Sequence, residues 1–308
     1  MNMNLKILTV ALAILGSGAN RARAETFLVD LGSDGSFRGA SVASPDSTGN
    51  YWNEYAPGDG IRVLTNTANQ VTPVQLLFTT GMGTDSYNGP AGVTTDPPTP
   101  SEIAATAIDA GALGDLGITN AAFDYFEAAA GNKVKFTLSN LDPSQRYTLT
   151  FFGARKYPAG EGAGSPPSRT TVYAVTDSNG LTLASTTLNV GVFDQHNSNE
   201  VVTLSGLRAD LHNRLYVEFS GLTASNAGYL NTFKLASTAL TPPPADEVIL
   251  IDFGNDQSYQ GASVVNPDSN GNYWNSVWSG AFYPDLVNTS NTVTAVDFGF
   301  DLAGGTDS

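Results

Sequence analysis

Few side chains in this chain are equipped for covalent or acid–base chemistry. The 308 residues include two histidines, His196 in "FDQHNSN" and His212 in "ADLHNRL", and no cysteine. A serine hydrolase needs a serine on a sharp turn with a histidine base in reach. No G-x-S-x-G occurs, "GSDGS" does not complete a G-D-S-L block, and "DLH" misses the D-x-x-H spacing that such esterases carry. Both histidines therefore read as loop residues. No spacing singles out a carboxylate pair for glycoside cleavage among the 29 acids. Zinc needs clustered His or Cys, which the sequence lacks. The expectation is a non-catalytic chain that needs no cofactor.

Two residue groups could still hold a ligand. "DSTGN" from Asp46, "DSNGN" from Asp268 and "DSNG" from Asp177 place oxygen-bearing side chains on tight turns, where calcium could sit. The glycine comes too early for an EF-hand, and Asp or Asn in such turns commonly bonds its own backbone. The second group is "NYWN". A sugar offers apolar ring faces fringed by hydroxyls, so its site needs a flat aromatic with amide or guanidinium donors beside it. Asn50, Tyr51, Trp52 and Asn53 supply these types in one loop; Arg155 and Tyr157 in "GARKY" and Tyr229 and Asn231 in "GYLN" add more. The competing reading makes Trp52 the plug that closes a sandwich.

The loop is written twice. Laying residue 25 on residue 247 gives a constant offset of 222, and 29 of the 57 positions from Asp30 to Ser86 are then identical. That period is far longer than a solenoid or propeller repeat, so whole modules follow one another. Trp274 and Asn275 repeat Trp52 and Asn53, and Trp278 is an extra aromatic where the first copy has Ala56. The second copy stops at "GTDS" while the first continues past it, so residues 247–308 are expected to be the start of a truncated second module. The Pro-rich stretch 238–246 reads as a semi-rigid linker.

Residues 1–24 have the charged, apolar and small-residue order of a secretory signal, with an apolar run too short to anchor in a membrane. Removing them takes away Lys6, Arg21 and Arg23 and no acid, leaving 11 basic against 29 acidic side chains, a net of −18. That balance speaks against nucleic acid and anionic lipid as partners, and no membrane insertion is expected after the signal is removed. A secreted or cell-surface location follows.

Residues 25–237 carry strand signals. "KVKFTLSNL" puts Val134, Phe136 and Leu138 on one face; "LYVEF" alternates Leu215, Val217 and Phe219 with Tyr216 and Glu218. "TFLVDLG", "YTLTFFGAR", "TTVYAVTD", "LTLASTTLNV", "EVVTLSGL" and "GYLNTFKLAS" follow the same habit, separated by turn chemistry. The one helix expected is "SEIAATAIDAG", residues 101–111. Short strands without alternating helices predict an all-β sandwich.

The succession "VDLG", "PDSTGNYWN", "LGDLGITNAAFDYF", "FTLSNLDPSQRYTLTFFGARK" and "GYLNTFKL" resembles a module of secreted bacterial proteins, many of them bearing sorting signals. That module is similar to the galactose-binding-like, jelly-roll β-sandwiches, which include many carbohydrate-binding modules. The resemblance covers residues 25–237 and the first third of a second copy. It implies an extracellular module taking a polysaccharide or glycan. The alternatives are a structural spacer or adhesin-like module, and an accessory region of a polysaccharide hydrolase or esterase.

Overall fold

Period-2 alternation decides the inner faces. In β7 (Val134–Ser139), Val134, Phe136 and Leu138 are buried while Lys135 points out. The computed structural model describes residues 24–32, 41–85, 107–155, 168–192, 195–239, 248–253, 264–277 and 282–299. The first part of the chain is an all-β, jelly-roll-like sandwich.

One sheet orders β12 (Val202–Leu207), β8 (Gln145–Phe152), β15 (Thr232–Ala239), β1 (Thr26–Asp30) and β2 (Asn53–Glu54), with only β2 parallel to its neighbour. The facing sheet orders β11 (Gln195–His196), β10 (Thr182–Val192), β9 (Ser168–Thr176), β13 (Leu215–Gly221), β7, β4 (Val71–Phe78) and β3 (Arg62–Thr65). A third, small sheet orders β14 (Gly228–Leu230), β6 (Tyr125–Ala128) and β5 (Gly83–Asp85).

Aromatic pairs join the two large sheets. Phe151 of β8 stacks on Tyr173 of β9 at 4.7 Å between centroids, and Phe136 of β7 on Phe233 of β15 at 5.0 Å. Each such pair adds about 0.5–1.5 kcal/mol beyond area burial. Gly153 in "FFGAR" permits the close approach behind them, because a Cβ there would collide with the Tyr173 hydroxyl.

The outer face of the five-stranded sheet is covered as well. Leu28 and Phe152 pack under Leu113, Leu116, Ala121 and Ala122, and Trp52 completes this second cluster. The covering segment holds two short helices, α1 (Ala110–Leu113) and α2 (Thr119–Phe123), around a 3-10 turn at Gly114–Leu116. The helix expected over 101–111 differs. Residues 101–106 lie outside the described ones, 107–109 are not helical, and α1 starts after Asp109, whose carboxylate accepts from Ala112 N at 3.1 Å.

Three further expectations change. Glu218, read as an outward residue of β13, is 5% exposed, because Lys133 and Lys135 close over its carboxylate as ion pairs. The hairpin β3–β4 was not expected as strands. It tolerates Pro73 because the register shifts between Val63 and Thr65, opposite the proline. β15 runs to Ala239, into the stretch assigned to the linker, and residues 240–247 lie outside the described ones.

In the second copy, β16 (Leu250–Phe253) and β17 (Trp274–Val277) pair in parallel with Ile251 opposite Asn275, as Val29 lies opposite Asn53. β18 (Phe282–Tyr283) and β19 (Phe298–Gly299) form an antiparallel pair. Val277 and Leu286 are buried, but Phe253 is 65% exposed where its counterpart Leu31 is 0%. Among the described residues no helix is long and apolar enough to cross a membrane.

Candidate functional site

The "PDSTGNYWN" loop is built around one carboxylate. Asp46 Oδ1 accepts from Thr48 N at 2.8 Å, Thr48 Oγ1 at 2.7 Å and Asn50 N at 3.0 Å. Its Oδ2 accepts from the Trp52 indole N–H at 2.8 Å. Burial works to raise the Asp46 pKa, but the indole, hydroxyl and backbone donors together hold it below the ordinary value. In this hub both carboxylate oxygens face N–H and O–H donors, the Asx-turn pattern. Asp268 makes the same bonds with Asn270 N, Asn272 N and the Trp274 indole, at 2.8, 2.9 and 2.9 Å. Among the described residues no three His, Cys, Asp or Glu side chains cluster as a metal site.

The hub fixes the indole in place beneath the helical cover. Trp52 is 8% exposed and its ring belongs to the cluster under α1 and α2. Asn53 is taken up by backbone: Nδ2 donates to Leu28 O at 3.1 Å and Thr65 O at 2.8 Å, and Oδ1 accepts from Thr65 N at 2.7 Å. Asn275 repeats these bonds with Leu250 O, Val287 O and Val287 N. Tyr51, between the hub and the buried indole, stays half-exposed beside half-exposed Asn50, and Tyr273 beside Asn272 does the same. Trp274 is also half-buried, while Trp278 and Tyr157 lie outside the described residues.

The other candidates meet at a second place. Tyr229 is 2% exposed and packs edge-on to Tyr125 at 5.2 Å. The Arg155 guanidinium lies 5.5 Å from the Tyr125 ring centroid, and Arg169 Nη1 donates to the Tyr229 hydroxyl at 2.5 Å. Burial pushes the Tyr229 phenol up, against the opposing pull of the Arg169 charge. Asn231 is fully buried: Oδ1 accepts from Ala154 N at 2.7 Å, and Nδ2 donates to Ala122 O and Asp124 O. It ties the end of β8 to α2, a structural duty. Arg155, Tyr229 and Asn231 are thus neighbours, and Asn231 bonds Ala122 and Ala154, which belong to the cluster that holds Trp52.

His196 Nε2 is 2.7 Å from Ala107 O, and His212 lies 3.8 Å from Asp210 on an exposed turn. Neither is bonded to a serine among the bonds of the described residues. Sequence reasoning missed Asn272 and Tyr273 as candidates, although the 222-residue offset already pointed to them.

No family model matches this chain, and no curated protein matches it. Solved structures similar to it include carbohydrate-binding modules. The YxiM protein of Bacillus subtilis aligns at 12% identity over 79% of this chain and 46% of its own, with a TM-score of 0.34. The chain therefore spans less than half the length of that protein. The CBM35 module of Cellvibrio japonicus Abf62 aligns at 13% identity over 54% of this chain and 96% of that one, with a TM-score of 0.25. The CBM22-1 xylan-binding domain of Paenibacillus barcinonensis Xyn10C aligns at 12% identity, over 54% and 87%, with a TM-score of 0.24.

Proposed function

We propose that this chain is a non-catalytic, extracellular carbohydrate-binding protein of tandem modules. Residues 25–237 form one module, 247–308 belong to a second copy of it, and 1–24 direct export. The observation that carries the reading is the division of labour in "NYWN". Trp52 is tied to Asp46 and covered by α1 and α2, and Tyr51 stays half-exposed on the braced loop next to Asn50. A pre-set aromatic face with an adjacent amide is the minimal kit for a sugar ring, and bracing lowers the ordering cost of binding. Tyr273 and Asn272 present the same pair in the second copy.

The test is affinity electrophoresis of the whole chain through gels containing a broad set of polysaccharides. Retardation by one polysaccharide class, relieved by Tyr51→Ala at unchanged melting temperature, supports the proposal. Free migration through every gel overturns it. One observation favours a second reading, a structural spacer: Trp52, Asn53 and Asn231 all have their polar groups taken up inside the fold.

A further inference from the structure

The hairpin 285–299 differs from its counterpart 63–77 in a patterned way. Its inward positions keep their character: Leu286, Thr294 and Val296 repeat Leu64, Thr72 and Val74. Three outward positions change chemistry. Asp285, Asp297 and Gly299 stand where the first copy has Val63, Gln75 and Leu77. In the first copy Val63 and Gln75 are directly opposed across β3–β4, and Val63 is 52% exposed, so these positions face outward in a complete module.

All three changed residues meet the first module at one place. Asp285 and Asp297 would repel each other as opposed like charges on one face. Instead, Arg146 forms an ion pair with Asp285, and Arg208 pairs with Asp297 while its Nη2 lies 3.3 Å from Asp285 Oδ1. Arg208 Nη1 also reaches Ala295 O at 3.3 Å, and its side chain is only 6% exposed. Arg146 has its own pKa lowered by burial and by the charge of Arg208, so the two cations crowd one another and call for anions between them. Gly299 completes the fit. A Cβ there would come within 2.8 Å of the Leu211 Cδ1 methyl, so the Leu77 of the first copy would have to push the Leu211 side chain aside to occupy this position.

We propose that Arg146, Arg208 and Leu211 form a docking surface for the β-hairpin of the next module, keyed by Asp285, Asp297 and Gly299. The eight residues 240–247, between β15 and the second copy, span at most about 28 Å, which keeps the hairpin at high effective concentration. The clasp sets a fixed angle between consecutive modules in place of free rotation about a flexible joint. It does not depend on what the modules bind.

The chain has no cysteine, so spin labels can be placed cleanly at Asn179→Cys and Ser290→Cys, both on exposed turns. Pulsed dipolar spectroscopy on the full chain should give a narrow distance distribution. Asp285→Val with Asp297→Gln, and separately Gly299→Leu, install the residues the first copy carries, which its own hairpin accommodates. Each should broaden the distribution about twofold toward that of a free linker. A broad distribution in the chain without these changes, or an unaltered one in the Asp285→Val/Asp297→Gln variant, would overturn the clasp.

Discussion

Trp52 and Tyr51 are adjacent in the chain and opposite in environment: Asp46 fixes the indole, and α1 and α2 cover it. Trp52→Ala empties the space under α1 and α2, and a cavity of that kind costs roughly 3–5 kcal/mol. For a domain of this size the melting temperature should fall by about 10 °C, read by calorimetry. Tyr51→Ala, on the half-exposed side, should leave it within a degree or two, as surface changes do. Asp46 also confers a pH dependence. Its folded pKa lies below the unfolded value of 3.8, so its contribution is fully present above that value and is lost as the pH falls through the folded one. Urea midpoints should therefore drop between pH 5 and the acid limit, and Asp46→Asn should flatten that drop. An unchanged slope in Asp46→Asn would assign the acid loss to other carboxylates.

At the scale of elements, Asn53 is the joint between β1, β2 and β3. Asn53→Ala strands Leu28 O, Thr65 O and Thr65 N, and is expected to cost about 2–3 kcal/mol and to speed hydrogen exchange at the Thr65 amide. Asn275→Ala should speed exchange at the Val287 amide in the same way. The sequence made β7, β8, β9 and β13 legible, because alternation is strong where one face is buried. It hid the β3–β4 hairpin, whose outer face carries exposed Val63 and Val71 and whose longer strand contains Pro73. Of the helix expected over 101–111, residues 101–106 lie outside the described ones; α1, capped by Asp109, follows where Leu113 and Leu116 pack against Phe152. For the site, residue types marked the right loop, but types cannot tell which of two adjacent aromatics turns inward. That choice needs both the reach from the indole nitrogen to Asp46, six residues earlier, and the helical cover that α1 and α2 lay over the ring.

At the scale of the molecule, the two copies differ in what covers them. β1 is flanked by β15 and roofed by α2, while β16 has β17 alone beside it among the described residues, and its Phe253 is 65% exposed. Residues 25–240 should unfold in one cooperative transition. An isolated 245–308 peptide should show little amide protection, and slow exchange throughout it would contradict the offset that pairs the copies. Tandem modules also make the binding proposal quantitative, since two weak sites on one polymer gain by effective concentration. The most direct test is titration of a retained polysaccharide into the full chain, the Tyr51→Ala and Tyr273→Ala variants and the double variant. Each single change should weaken binding at least about tenfold, and the double change should abolish it, with the melting temperature unmoved. A double variant that binds as tightly as the unaltered chain would contradict the assignment of the exposed tyrosines as the sugar-facing surface.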